Sequence, residues 1–144
     1  MKKTKKFQTP RQKRVILETI DNMPETRFYS SNHVMINKER VLHCLPKLSR
    51  CQELDEIARN HAILMLESKK TIPELDRTYN CKSGQDLTIG LNVAYGKKIR
   101  DLQRCLMNKK CEKKNILNEE FKRMGVATAQ DDKGYIYLCQ IFTI

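Results

Sequence analysis

The chain has 144 residues, of which 28 are Lys or Arg and 17 are Asp or Glu, so its formal net charge is +11. This length fits a single domain that can bury a core without disulfides or metal. The composition is 40% hydrophobic with five Gly and four Pro, which excludes collagen-like and broadly disordered chains. No apolar run approaches the roughly 18 residues that span a bilayer, which excludes a transmembrane helix.

The positive charge is concentrated at the N-terminus. Residues 1–14 contain seven Lys or Arg and no acid, so residues 15–144 carry only +4. We interpret residues 1–14 as a solvated, disordered basic arm, with polyanion binding and targeting as alternatives. No continuous apolar stretch of about 7–15 residues follows the arm, so the sequence as it stands has no conventional secretory signal. We expect a cytoplasmic protein by default, or a secreted one if the N-terminus is incomplete.

The cysteine spacing argues against a structural zinc site, because no Cys-x-x-Cys pair or Cys/His cluster is present. We expect reduced thiols. In an oxidising compartment, Cys44 with Cys51 and Cys105 with Cys111 are the candidate pairs, and the pairing stays open. The six cysteines are Cys44, Cys51, Cys81, Cys105, Cys111 and Cys139.

The first half of the chain predicts two helices. Residues 15–32 are ambiguous between helix, strand and turn, and a helix is expected from about 33 to 44, ended by Pro46. A longer helix is expected from about 50 to 69, with Ser49 and Gln52 as its capping box. Its apolar stripe comprises Leu54, Ile57, Ala58, His61, Ala62, Leu64 and Met65.

The second half predicts a mixture of helices and strands. Residues 70–89 read as a long loop that covers or shapes a site. A short apolar run at 89–93, a helix at about 97–108 and a short helix or turn at 113–124 follow. Strand-like segments at 125–128 and 135–142, joined by turn residues 131–134, predict a β-hairpin. This order of elements favours an α+β domain with helices packed on a small sheet.

Common catalytic motifs are absent: there is no Gly-rich phosphate loop, no G-x-S-x-G and no H-E-x-x-H. His33 and His43 are expected at an exposed loop and a helix end, without a role. Any acid–base chemistry therefore depends on His61 with a carboxylate partner.

The order of several short motifs resembles the CAP superfamily, which includes cysteine-rich secretory proteins, antigen-five allergens and plant pathogenesis-related group-one proteins. The resemblance covers about residues 34–142 and implies one CAP-like domain within 15–144, an α-β-α sandwich with a small antiparallel sheet between helices. It is carried by Asn37-Lys-Glu-Arg40, Leu45-Pro-Lys-Leu48, the stripe from Leu54 to Met65, Gly90-Leu91-Asn92-Val93, Leu106-Met107-Asn108, Asn115-Ile116-Leu117, Phe121, Gly125-Val126, Tyr137, Gln140 and Phe142.

The resemblance also implies a cleft, and this sequence departs from the family pattern there. The family gathers two histidines and acidic residues, and the histidine pair binds a divalent metal in some members. Here His61 stands for the first histidine, Leu91 for the acid and Glu112 for the second histidine. One imidazole beside a carboxylate has too few ligands for zinc. We therefore expect no metal and no cofactor, and a His61–Glu112 contact that is structural, ligand-contacting or catalytic.

Three functions stay open. The first is a non-enzymatic domain that binds a small hydrophobic ligand, such as a lipid or sterol, or a protein partner. Its cleft candidates are His61, Leu91, Asn92, Glu112 and Asn115.

The second is a basic module that binds nucleic acid or an acidic surface through the arm and residues 97–114. Its anion-binding candidates are Lys109, Lys110, Lys113 and Lys114. The third is a weak hydrolase that uses His61 and Glu112, and the oligomeric state stays open.

Overall fold

A computed structural model describes residues 29–75 and 89–144 of the chain. The helices described are α1 Ser31–Leu42, α2 Gln52–Ser68, α3 Ile99–Met107 and α4 Lys110–Ile116. The strands described are β1 Ser49–Arg50, β2 Ile89–Gly96, β3 Arg123–Gln130 and β4 Ile136–Thr143. The basic arm, the ambiguous segment up to residue 28 and most of the expected loop (76–88) lie outside the described residues.

The strands form one four-stranded sheet in the order β1-β3-β4-β2. β4 lies between β3 and β2 and is antiparallel to both, which confirms the predicted hairpin. β1 pairs in parallel with β3 through Arg123 and Met124 only. The sheet is therefore mixed rather than purely antiparallel, because the short segment that leads into α2 joins it at the outer edge of β3.

Helices cover both faces of the sheet, which confirms the α+β class and the three-layer sandwich. On one face, α2 packs its small and aliphatic residues against alternate residues of β4. On the other face, α1, α3 and α4 share a second cluster with β3 and β4. Because side chains alternate along a strand, β2, β3 and β4 each contribute to both cores.

α2 lies directly against β3 at a glycine. A Cβ on Gly125 would lie 2.2 Å from the backbone carbon of Leu54, so only glycine allows this approach. The buried stripe of α2 is Leu54, Ala58, His61, Ala62 and Met65. The prediction for Leu64 is wrong: its side chain is 41% exposed, because it lies beside the stripe rather than within it.

The predicted helix boundaries are partly wrong. α2 begins after Cys51, whose side chain makes no capping hydrogen bond, and Ser49 lies in β1 instead of a capping box. A capping box does occur, but at α1, where Ser30 and His33 satisfy each other's backbone donors. A helix or turn is expected at 113–124, but the helix there ends at Ile116 and β3 begins at Arg123.

Candidate functional site

The sheet separates the residues that the sequence groups into one cleft. His61 lies on α2, and Leu91 packs into the cluster on the α2 face. Asn92 points to the opposite face, where its Nδ2 donates to the backbone oxygen of Glu112 over 3.1 Å. Asn115 Nδ2 donates to Asn92 Oδ1 over 2.8 Å. The structure thus brings Asn92, Glu112 and Asn115 together and leaves His61 and Leu91 on the other side.

His61 has a structural partner of its own. The side chain is 2% exposed, and Nε2 lies 2.7 Å from the carbonyl oxygen of Ile72. This hydrogen bond ties the chain that follows α2 back to the helix. No hydrogen bond or ion pair of the described residues joins His61 to Glu112.

Asn92 and Asn115 belong to a network of five amide side chains. Asn92 Nδ2 also donates to Gln140 Oε1 over 3.1 Å. Gln140 Nε2 donates to Asn32 Oδ1 and to Gln103 Oε1, each over 2.8 Å, and Asn32 Nδ2 donates to Gln103 Oε1 over 2.9 Å. Buried amides joined in this way fix the layers around β4 relative to one another.

The N-K-E-R motif is also part of the framework. Asn37 Oδ1 accepts a hydrogen bond from the backbone amide of Leu48 over 2.7 Å, and Asn37 Nδ2 donates to the carbonyl oxygen of Leu48 over 3.1 Å. Arg40 is 1% exposed, and its guanidinium donates to the carbonyls of Pro46, Ile116 and Asn118. A buried cation satisfied by three carbonyls holds loops in place.

The four candidate lysines remain at the surface. Lys110, Lys113 and Lys114 lie on α4 and Lys109 caps its start, and all four side chains are exposed. Their arrangement offers positive charge to solvent without forming an enclosed anion site.

No set of three or more His, Cys, Asp or Glu side chains within 29–75 and 89–144 is placed to hold a metal ion. The cysteines in these ranges are free thiols, including the candidate pairs Cys44 with Cys51 and Cys105 with Cys111. Cys81 lies outside the described residues. None of the described helices is long and apolar enough to cross a membrane.

A concave surface lies elsewhere, at the outer edge of β3. A groove of about 540 Å³ opens there between the first turns of α1 and α2. Residues 126–128 of β3 form its floor. Ile99 and Ile136 line it on the α3 side, and Glu56 and Arg59 line it on the α2 side.

A bridge of hydrogen-bonded side chains lies at one end of the groove. His33 Nε2 lies 2.8 Å from Asp55 Oδ1, and the backbone amide of Val126 donates to the same oxygen over 2.8 Å. Arg50 Nε pairs with Asp55 Oδ2. Burial acts to raise the pKa of Asp55. The hydrogen bonds from His33, Arg50 and Val126 outweigh burial, so the pKa lies below its ordinary value.

Ser30 adjoins the other side of the His33 ring. Its Oγ lies 2.7 Å from His33 Nδ1, and its backbone amide donates to the same nitrogen over 3.0 Å. His33 is 3% exposed, whereas Ser30 is exposed and lines the groove. A Ser–His–Asp chain of hydrogen bonds therefore ends at an accessible hydroxyl.

Sequence reasoning missed this cluster. The expectation that His33 lies at an exposed loop is wrong, because the residue belongs to the first turn of α1, where capping and Asp55 bury its ring. The spacing of Ser30 and His33 carries the local part of the signal, since a side chain three residues after an N-cap can accept from the cap. The contact with Asp55, 22 residues away, has no local sequence signal.

The comparison with protein families settles the relationship of the chain. A model of the cysteine-rich secretory protein family, CAP, matches residues 34–142. The chain belongs to the CAP family. CAP proteins are generally not enzymes. A comparison with curated proteins finds no match.

Solved structures support the CAP fold. An outer surface protein from Borrelia burgdorferi is 16% identical with a TM-score of 0.68, over 78% of this chain and 88% of that one. A cysteine-rich secretory protein from Staphylococcus aureus is 22% identical with a TM-score of 0.67, over 85% of this chain and 40% of that one.

An extracellular protein containing an SCP domain from Bacillus anthracis is 19% identical with a TM-score of 0.62, over 94% of this chain and 44% of that one. The chain therefore spans less than half the length of the last two relatives. At these identities the likeness concerns the fold alone.

Proposed function

We propose that this CAP domain is a binding module that takes an extended segment of a partner protein into the groove, as an added strand on the outer edge of β3. One observation carries the proposal. β1 pairs only with Arg123 and Met124, so the edge from Val126 onward has no strand partner among the described residues. An open edge within a groove is the arrangement that peptide-binding domains use to add a strand.

The direction of the backbone groups supports this pairing. The carbonyl of Met124 accepts from the amide of Cys51, and the amide of Val126 donates to Asp55, so both point away from β4. Backbone groups alternate along a strand, and the amide and carbonyl of Thr128 therefore point the same way. Thr128 is exposed, so these two groups are available to a peptide.

The two walls of the groove specify the side chains of the peptide. An added strand turns alternate side chains to opposite faces. One set meets Ile99 and Ile136, and the other set meets Glu56 and Arg59. The partner segment should therefore alternate apolar and charged residues, which is a different chemistry from that of a lipid or sterol.

Peptide display tests the proposal. Short random peptides are selected on the domain, and affinity is then measured for Thr128→Pro, which lacks the outward amide, and for the matched control Thr128→Ala, which keeps it. Proline is tolerated on an edge strand. We expect Thr128→Pro to lose about tenfold or more in affinity. Without the amide of residue 128, one carbonyl of the bound peptide has no hydrogen-bond donor, and this loss costs about 1–3 kcal/mol. Equal affinity of both variants, with equal melting temperatures, would refute strand addition.

The exposed lysines favour a second candidate function, which is weak binding of nucleic acid. The four lysines lie within one short stretch, at the start of α4 and along it, and all are exposed: Lys109, Lys110, Lys113 and Lys114. Each lysine that contacts a phosphate steepens the plot of the logarithm of the binding constant against the logarithm of the salt concentration by about 0.9. Replacing all four with Gln should flatten the slope for short duplex DNA, and a slope unchanged by the replacement would exclude this surface.

A further inference from the structure

We propose that Ser30 is an activated nucleophile that accepts an acyl group from carboxylic esters. Three distances carry the inference: 2.7 Å from Ser30 Oγ to His33 Nδ1, 2.8 Å from His33 Nε2 to Asp55 Oδ1, and 2.8 Å from the Val126 amide to the same carboxylate oxygen. A nucleophile, a base and a group that orients the base, each within hydrogen-bond reach, define this chemistry. The activity goes beyond peptide binding and does not require a peptide in the groove.

The hydrogen bonds fix the tautomer of His33. The backbone amide of Ser30 can only donate, and it points at Nδ1 over 3.0 Å. Nδ1 therefore carries the lone pair, and Nε2 carries the hydrogen that it donates to Asp55. With Nδ1 as acceptor, the Ser30 hydroxyl donates to it, which is the orientation needed to give up the proton.

The surroundings of Ser30 suit acyl transfer. Asp55 is held by Val126 and Arg50, so the carboxylate stays ionised and can stabilise an imidazolium at His33. The first turn of α1 leaves the amides of residues 31 and 32 without acceptors within the helix. These donors directly follow Ser30 in the chain, and in the proposed step they stabilise the negative oxygen that forms on the substrate. The groove admits the substrate, and Ile99 offers apolar contact to its acyl chain.

The step conserves atoms and charge. Ser30 Oγ bonds to the ester carbonyl carbon, its proton moves to His33 Nδ1, and the carbonyl π pair moves onto oxygen. When that pair returns, the carbon–oxygen bond to the alcohol breaks, and the leaving oxygen takes the proton from His33. Water then attacks the acyl-serine by the same route in reverse and releases the carboxylic acid.

A fluorophosphonate probe on the full chain tests the proposal, because it phosphonylates activated serines with loss of fluoride. Two matched variants keep the start of α1 intact. Ser30→Asn preserves an N-cap without a nucleophile, and His33→Gln preserves a capping box without a base. Melting temperatures of both variants verify that the fold is retained.

We expect labelling to map to Ser30 by peptide mass, to vanish in Ser30→Asn and to slow by at least about 100-fold in His33→Gln. The neighbouring Ser31 should stay unlabelled. The proposal is overturned if the unmodified chain is not labelled, if the label maps elsewhere, or if His33→Gln reacts at the original rate. These outcomes are separate from peptide affinity, which Thr128→Pro tests on its own.

Discussion

His33 Nε2 lies 2.8 Å from Asp55 Oδ1 and joins the first turns of two helices that pack on opposite faces of the sheet. The contact passes around the outer edge of β3, where the amide of Val126 donates to the same oxygen. One carboxylate thus ties together α1, α2 and β3. It also marks the end of the groove at which the open edge begins.

Removing the charge of Asp55 should destabilise the domain. Asp55→Asn weakens the hydrogen bonds from His33 and Arg50, and we expect the free energy of unfolding to fall by about 1–3 kcal/mol at neutral pH. Denaturant unfolding measures this change. The control is Glu56→Gln, an exposed neighbour on the same helix, for which we expect a change within about 0.5 kcal/mol. Equal effects of the two variants would contradict the bridge.

The stability difference between the unmodified chain and Asp55→Asn should depend on pH, and the lowered pKa of Asp55 sets the direction of this dependence. The pKa of Asp55 is lowered in the folded state, so its stabilisation is fully present above the unfolded value of about 3.9. It is lost as the pH falls through the lower, folded pKa. The difference in unfolding free energy between the unmodified chain and Asp55→Asn should therefore shrink as the pH falls from about 5 through the folded pKa of Asp55. A difference that grows with acidification would contradict this assignment.

Gly125→Ala should be strongly destabilising, because the added methyl group would meet the backbone of α2 rather than a flexible side chain. Overpacking of this kind costs about 1–3 kcal/mol or more. Gly134→Asn is the matched control: Gly134 has a φ of 85°, a Cβ there would lie at an ordinary contact distance of 3.7 Å from Gln130 Nε2, and Asn tolerates left-handed backbone. Chemical unfolding of both variants tests the contact, and a Gly125→Ala variant as stable as the control would show that α2 does not press on β3.

Gln140→Leu should disrupt the amide network at its centre. The substitution removes one hydrogen bond each from Asn92, Asn32 and Gln103 in a buried layer, and Asn32 Oδ1 loses the donor that satisfies it. Each group left unpaired costs about 1–3 kcal/mol. The same change at the exposed Gln130 provides the control and should be nearly neutral. If Gln140→Leu unfolds at the same denaturant concentration as the control, the network does not stabilise the fold.

Local periodicity predicts much of the framework. The stripe from Leu54 to Met65 predicts α2, and the turn residues 131–134 predict the hairpin, because both signals depend on neighbours in sequence. The Gly125 contact and the buried Gln140 correspond to motifs that the family resemblance singled out. Those motifs therefore describe structure more than function.

The candidate site depends on relationships that local patterns do not contain. The alternation of β2 sends Leu91 and Asn92 to opposite faces, so two adjacent residues cannot share one cleft. β1 is two residues long, and its length decides how much of the β3 edge stays open. The pairing of His33 with Asp55 follows only from the packing of α1 and α2 around that edge.

Amide hydrogen exchange at Thr128 tests the central claim most directly. The account predicts that this amide exchanges rapidly in the free domain, because it points away from β4 at an open edge, and becomes protected when a display-selected peptide binds. The amides of β2, at the far edge of the sheet, should keep their exchange rates and serve as the internal reference. Protection elsewhere, with Thr128 exchange unchanged at saturating peptide, would contradict binding by strand addition.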